Sequence, residues 1–308
     1  MPDHNLGLLF ALFASILWSI TVILIKPISK NISPFLINPI KNTIGLILFF
    51  LLFLIFGIPF WYNSLYTYEY FIVLVSGSLG MVLGDTIFIY ALNKIGANRV
   101  AIVDSFSPVV IYFYSIILLS IGLTFIQIIG FLITIMGLLI LAYEKDYEDI
   151  DYKTKQFGIL LVLGAMACTG LGVVFLKQVL NRIQEPGLDG IKLNLWITAF
   201  RLIPGVILSW IIFLFQKNRY QLLQPLKNIH NYRPLIIASI TGPFLALGFW
   251  ILGYAFIDQP AVASIIGQTS VIFIVLLSGL FLKEKLTNLR IISTIFVFLG
   301  VILATVNM

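Results

Sequence analysis

Residues 37–56 read INPIKNTIGLILFFLLFLIF, and residues 194–215 read NLWITAFRLIPGVILSWIIFLF. Each stretch is almost wholly apolar and is long enough to cross a bilayer as a helix, which takes about 20 residues. Each also carries a single charged residue, Lys41 or Arg201, followed four positions later by a glycine. The pair therefore indicates a membrane protein with an internal duplication.

The rest of the 308-residue chain has the same character, with 60% apolar and 10% charged residues. A soluble fold cannot bury that much apolar surface. Ten apolar segments predict spanning helices at 6–25, 37–56, 70–92, 97–120, 125–143, 157–180, 194–215, 235–256, 260–282 and 288–306. Their apolar runs are continuous instead of alternating, which favours helices over a β-barrel. We therefore predict an all-α integral membrane protein.

Further matches relate the last five segments to the first five. Gly84, Tyr90-Ala91, Leu123-Thr124 and Gly137 correspond in order to Gly248, Tyr254-Ala255, Leu286-Thr287 and Gly300. The series predicts two five-helix repeats, residues 6–143 and 157–306, joined by a polar linker, residues 144–156 (EKDYEDIDYKTKQ). Because each repeat has an odd number of helices, the two lie in opposite orientations, as inverted repeats.

The basic residues predict how the chain is oriented. Fourteen lysines and arginines fall in the loops after helices 1, 3, 5, 7 and 9, and three, Lys177, Arg182 and Lys192, fall on the other side. Because basic residues favour cytoplasmic loops, this distribution places both termini outside. The net charge of +6 then reports membrane orientation, and we expect no nucleic-acid partner.

One motif carries a family resemblance. Residues 76–108 (SGSLGMVLGDTIFIYALNKIGANRVAIVDSFSP), followed by Leu123-Thr124 and a glycine-bearing fifth helix, resemble the EamA repeat of the drug/metabolite transporter superfamily. In the second half, residues 282–287 (LKEKLT) are similar to that family's acidic turn, whereas the first half has Ile121-Gly122 at the corresponding place. The resemblance implies a secondary transporter in the cytoplasmic membrane, with a central cavity between the halves and a metabolite-exporting role. Many members have cytoplasmic termini, opposite to the orientation that the charges predict.

Three charged residues inside predicted helices fall at similar depth. Asp85 lies seven residues before the end of helix 3 and Asp104 seven after the start of helix 4, so both are about 10 Å from one face at 1.5 Å per residue. Lys41 enters from the same face. A charge at this depth is costly unless it is paired or hydrated. The cluster is either a structural ion pair, with Lys41 reaching to the interface, or a protonatable acid or substrate contact.

Arg201 enters from the opposite face in an inverted repeat. It either pairs with Asp258 or the carbonyls near Pro204, or it holds an anionic substrate group such as a carboxylate or phosphate, which suits its planar fork. Gln268 in helix 9 either adds a hydrogen bond to that site or links helices. Trp18 either lines the cavity or faces lipid, and Tyr112 is a further candidate cavity residue.

Enzyme and pump chemistry find little support in the sequence. His4 and His230 lie outside the predicted spans, Cys168 has no cysteine partner, and no phosphate-binding GxxxxGK[ST] motif occurs. We therefore expect no cofactor, no metal and no enzymatic activity, with an acid-based intramembrane hydrolase using Asp85 and Asp104 as a remote alternative. An uncoupled exchanger or a channel is the other alternative. The expected partners are a small-molecule substrate, lipid, protons and a second copy of the chain.

Overall fold

A computed structural model describes residues 4–104, 106–142, 151–184, 190–281 and 288–305. The following parts of the sequence predictions lie outside the described residues: residue 105 of helix 4, the last residues of helices 5, 9 and 10, linker residues 144–150 and the turn at 282–287. Everything described is helix, turn or irregular backbone, with no strand, so the all-α prediction is confirmed for these residues.

Fourteen α-helices make up the described chain. The first half contains α1 (His4–Ile28), α2 (Pro34–Phe56), α3 (Thr67–Gly77), α4 (Asp85–Asp104), α5 (Ser107–Leu119) and α6 (Phe125–Ala142). The second half contains α7 (Tyr152–Arg182), α8 (Gly190–Leu214), α9 (Arg219–Leu223), α10 (Ile229–Ser239), α11 (Leu247–Phe256), α12 (Pro260–Gly267), α13 (Thr269–Phe281) and α14 (Asn288–Thr305). A 3₁₀ turn, Gln224–Lys227, follows α9.

Six continuous helical stretches of the described chain are long and apolar enough to cross a membrane. They cover residues 5–28, 34–56, 67–95, 152–182, 190–214 and 232–256. Shorter apolar helices occupy 107–119, 125–137, 260–274 and 291–305. The chain is therefore a multi-pass membrane protein, and every predicted span contains apolar helix.

Two π-helical segments occupy equivalent places in the two halves. Ser78–Gly84 joins α3 to α4, and Ile240–Ala246 joins α10 to α11. Each ends with the same hydrogen bond across five residues, from the Asp85 N–H to the Gly80 carbonyl and from the Leu247 N–H to the Gly242 carbonyl. Such π segments are rare and are frequent at functional sites. The internal repeat is thus present in the backbone as well as in the sequence.

The predicted fourth and ninth helices are both interrupted. Helix 4 changes from α4 to α5 between Asp104 and Ser107, directly before Pro108, which lacks an N–H and disfavours helical backbone in the residue before it. Helix 9 changes from α12 to α13 at Gln268. Residues 104 and 267 are 163 positions apart, as Gly137 and Gly300 are, so the two interruptions are equivalent.

Two helices extend beyond the ends that the sequence analysis gave them. α4 continues through residues 93–96, where the sequence analysis placed a loop, because none of these residues removes a backbone hydrogen-bond donor as Pro108 does. α7 begins at Tyr152, inside the predicted linker. Asp151 caps it by accepting a hydrogen bond from the Thr154 backbone N–H at 3.1 Å, and a capped start extends the helix beyond its apolar part.

Helix packing follows the repeat. α1 packs against α10, α11, α12 and α13 of the second half, and α7 packs against α3, α4 and α5 of the first. The equivalent helices α2 and α8 contact each other, as do α6 and α14. Glycines permit the last contact, since a Cβ on Gly300 would lie 2.6 Å from the Gly130 carbonyl oxygen. The two halves therefore enclose the space between them jointly.

Candidate functional site

A cavity of about 200 Å³ lies between the halves. The first half contributes residues of α1, α2, α4 and α5, and the second contributes residues of α7, α11, α12 and α13. Both π segments reach its wall, through Met81 and Gly84 in the first and Gly242, Pro243 and Ala246 in the second. Both interrupted helices reach it as well, through Asp104, Ser107, Gly267 and Gln268.

Lys41 and Asp85 form an ion pair at the cavity. The Lys41 Nζ lies 2.5 Å from the Asp85 Oδ2 and 3.1 Å from the Asn42 side-chain oxygen. The Lys41 side chain is 5% exposed and the Asp85 side chain is 20% exposed. Asp85 is the first residue after the π segment, so that segment sets the direction in which its carboxylate points.

Asp104 reaches the same cavity without joining this ion pair. Its carboxylate accepts a hydrogen bond from the Ser107 hydroxyl at 3.0 Å, across the interruption between α4 and α5. The predicted three-residue cluster is thus brought to one cavity, but as a pair and a separate acid. The cavity therefore contains one carboxylate that is held by a cation and one that is held by a hydroxyl group.

Arg201 lies behind the cavity wall. Its side chain is fully buried, and its three guanidinium nitrogens have no hydrogen-bond partner among the described residues. The guanidinium carbon lies 5.7 Å from the centre of the Trp250 ring, a cation–π contact. Asp85 is within electrostatic range. The predicted pairing of Arg201 with Asp258 or with carbonyls near Pro204 is therefore absent from this structure.

The remaining predicted residues divide into two groups. Trp18 and Gln268 line the cavity, and the Trp18 ring lies 6.4 Å from that of Phe88. Tyr112 does not line it, because its ring packs against Phe131 of α6 at 6.1 Å. On a helix, the neighbouring residue Ile111 faces the cavity and turns Tyr112 away from it.

Several polar residues near the cavity were not anticipated. Lys177, which the sequence analysis counted among the basic residues of one membrane face, is completely buried and donates hydrogen bonds of 2.7 Å to the Tyr254 and Ile257 carbonyls at the end of α11. A cation is favourable at this negative end of a helix. Trp250 and Tyr254 line the cavity and are four residues apart on α11. A spacing of four residues places two side chains on the same face of a helix. This spacing was the sequence signal that could have identified Trp250 and Tyr254 as a pair.

Several side-chain contacts join the halves at one end of the molecule. The Gln127 side chain donates to the Gln259 side-chain oxygen at 2.6 Å, and Gln259 donates to the Gly122 carbonyl at 3.3 Å. Arg182 and the buried Glu69 form a two-point ion pair. No group of three or more potential metal ligands occurs among the residues that the structure describes.

The fold defines a multi-pass membrane protein with a charged internal cavity. The model of the EamA-like transporter family matches residues 5–143 and again residues 156–306. The chain therefore belongs to the EamA-like transporter family. Comparison with curated protein sequences gives no significant match. A solved structure, described only as the crystal structure of a protein, is similar with a TM-score of 0.75 and 16% identity, over 97% of this chain and 96% of that one. At this identity, the similarity concerns the fold alone.

Proposed function

We propose that the chain is a secondary transporter that moves a small solute across the cytoplasmic membrane by alternating access. Its ten predicted spans form two inverted five-helix repeats, residues 6–143 and 157–306, with the substrate bound between them. An exporting direction follows from the family resemblance. The two interrupted helices at the cavity carry the proposal, because discontinuous spanning helices form the substrate sites of many transporters with repeated halves.

The cavity supports a small metabolite over a drug-sized substrate. Its volume of about 200 Å³ is below the roughly 300–1,000 Å³ typical of pockets for drug-sized ligands. Its wall combines Trp18, Phe88 and Trp250 with hydroxyl and amide groups such as Ser15 and Gln268. The apolar surfaces contact the body of a solute, and the few polar groups orient it.

We further propose that protons drive transport through Asp104 or Asp85. Asp104 has one hydrogen bond, from Ser107, whereas Asp85 is held by Lys41. Proton release from a carboxyl can therefore be linked to the opening of one face of the cavity, since each state binds the proton with a different affinity. Exchange without protons is the alternative mechanism.

Labelling from the two sides of a membrane tests alternating access without a known substrate. In a Cys168→Ser background, Ser15→Cys in the cavity should react with an impermeant thiol reagent added to either side of proteoliposomes. A bismaleimide bridge between Gln127→Cys and Gln259→Cys should then restrict labelling to one side. The single Gln127→Cys variant, treated identically, is the control. Labelling of the bridged protein from both sides contradicts the proposal.

Counterflow tests the coupling once a solute has been found by a thermal-shift screen. Amino acids, organic acids, sugar phosphates and cationic drugs form the screening set. Asp85→Asn or Asp104→Asn should keep solute binding but lose uphill transport driven by a pH gradient. Retained pH dependence in both variants rules out proton coupling at these acids and leaves exchange as the mechanism. Flux that neither saturates nor shows counterflow indicates a channel.

A further inference from the structure

Two glycines, Gly77 and Gly80, determine the position of Arg201. They lie at the end of α3 and in the π segment that follows, where α8 packs closely. A Cβ on Gly77 would overlap the backbone of Arg201, so the absence of that atom lets α8 lie directly against α3. One turn further on, a Cβ on Gly80 would lie 3.3 Å from an Arg201 terminal nitrogen. The glycines thus place a fully buried guanidinium beside the first π segment.

This guanidinium is the largest unsatisfied polar group of the described chain. All three of its nitrogens lack a hydrogen-bond partner there, whereas the equivalent cation Lys41 has both Asp85 and Asn42. Buried charges are normally paired, because an unpaired one forfeits its hydration without compensation. If Arg201 only filled space between helices, its aliphatic stem would be sufficient. The presence of the charged guanidinium group would then have no explanation.

The side chain of Trp250 lies between Arg201 and the cavity. Trp250 lines the cavity and carries the guanidinium against its ring, and Tyr254, which also lines the cavity, is within electrostatic range of Arg201. Movement of the Trp250 side chain would connect the guanidinium to a solute in the cavity.

The charge balance selects the ligand. Lys41 and Asp85 neutralise each other, so Arg201 contributes one positive charge without a counterion in hydrogen-bonding contact. Asp104 is the other charged group of the cavity, and its protonation keeps the site neutral when a monoanion binds, whereas a phosphate monoester carries about −1.5 to −2 charges near neutral pH and would leave excess negative charge in a buried site. A carboxylate also matches the planar fork with two parallel hydrogen bonds.

We propose that Arg201 is the anion-binding residue of the transport site and that the substrate is a small solute bearing a carboxylate, which reaches the guanidinium past Trp250. This inference rests on the proposed function, and it narrows the substrate class. Two parallel hydrogen bonds to a buried guanidinium make carboxylate binding strongly dependent on the fork, beyond its charge alone.

Matched probes test the proposal in purified protein. The probes are 3-phenylpropionate and 4-methylpentanoate, their amides, and 3-phenylpropyl phosphate, measured by thermal shift and by isothermal titration. We expect the carboxylates to bind, with affinities at least tenfold above those of the amides and of the phosphate, since hydrogen bonds to charged groups contribute about 1.5–3 kcal/mol each. Equal binding of an amide or of the phosphate, or no carboxylate binding to the wild type, overturns the proposal.

Three variants separate a binding role from a structural one. Arg201→Gln should lose the carboxylate preference by tenfold or more and leave amide binding unchanged, and Arg201→Lys should keep part of it. Arg219→Gln, at an exposed arginine, is the matched control and should behave as the wild type. Unchanged selectivity in Arg201→Gln overturns the proposal. If that variant does not fold, the wild-type selectivity and Arg201→Lys still decide. Binding is measured without a membrane. A failure of the carboxylate proposal is therefore distinguishable from a failure of the proposed transport function, which the two-sided labelling tests.

Discussion

Lys41 and Arg201 occupy equivalent positions in the two halves, yet their surroundings differ. Lys41 forms an ion pair with Asp85 and contacts Asn42, at the cavity. Arg201 is more deeply buried, lies behind Trp250 and has no hydrogen-bond partner among the described side chains and backbone groups. The repeat supplies two similar scaffolds, and one acid in the first half makes their charges unequal.

The two halves share their backbone features and differ in their charged residues. The π segments, the interrupted helices and the α2–α8 and α6–α14 contacts are shared features, and they hold the cavity in place. With Gly84 aligned to Gly248, Asp85 has Phe249 as its counterpart in the second half, and Asp104 has Gly267. Specific chemistry thus belongs to the positions at which the halves differ, and the following predictions test that contrast.

Removal of Lys41 should have the largest effect. Lys41→Met leaves Asp85 without its partner in a mostly buried site, and we expect a loss of about 3 kcal/mol in the free energy of unfolding. Reversible SDS denaturation in mixed micelles measures it. Lys217→Met, at an exposed loop lysine, should change stability by less than about 0.5 kcal/mol. The double variant with Asp85→Leu should recover most of the loss, and a double variant as unstable as Lys41→Met contradicts the explanation.

Removal of Arg201 should have the opposite sign. Arg201→Met replaces an unpaired buried cation by an apolar side chain of similar length, and we expect the protein to become more stable by about 1–3 kcal/mol. The same denaturation assay gives the value. A destabilisation as large as that of Lys41→Met would mean that Arg201 is satisfied in the folded protein, and the contrast between the two positions would disappear.

Glycines at aligned positions should also respond unequally. A Cβ on Gly84 would overlap the Thr169 hydroxyl and lie 3.2 Å from the Leu79 carbonyl, whereas one on Gly248 would meet only the Phe49 ring, at 3.6 Å or more. We expect Gly84→Ala to cost about 1–3 kcal/mol through overpacking. Gly248→Ala should be close to neutral. Equal melting temperatures for the two variants would show that the first half tolerates the same change.

Removal of a contact between the halves at one end of the molecule should have the smallest effect. Gln127→Leu removes the 2.6 Å hydrogen bond to Gln259, and a neutral hydrogen bond contributes about 0.5–1.5 kcal/mol. We expect a small loss of stability together with faster thiol labelling of Ser15→Cys from that end. Gln156→Leu, which removes the hydrogen bond to Tyr152 on an exposed surface, is the control for labelling rate. Equal labelling rates would show that this contact does not close the cavity.

The scaffold was more predictable than the site. Apolar length predicts spans and repeated landmarks predict two halves, because both depend on local composition. The partner of Asp85 was predictable in part, since depth along a helix follows from the number of residues. The depth of Lys177 was not, because its partners are carbonyl groups 77 and 80 residues away in the chain. The lack of a hydrogen-bond partner for Arg201 among the described residues depends on how side chains pack around Trp250. That packing cannot be predicted by counting residues along a helix.

The first π segment also fixes the angular register of everything that follows it. An α-helix advances about 100° per residue, from 3.6 residues per turn, so each residue accommodated by wider bonding rotates the downstream helix by that amount relative to a regular one. Asp85 begins that downstream helix. Regular winding of the same residues would turn the carboxylate by about that angle away from Lys41, whereas deletion of one residue between 78 and 84 together with regular winding would leave it in place. The number of residues in this segment, and not only its side chains, is therefore part of the ion pair.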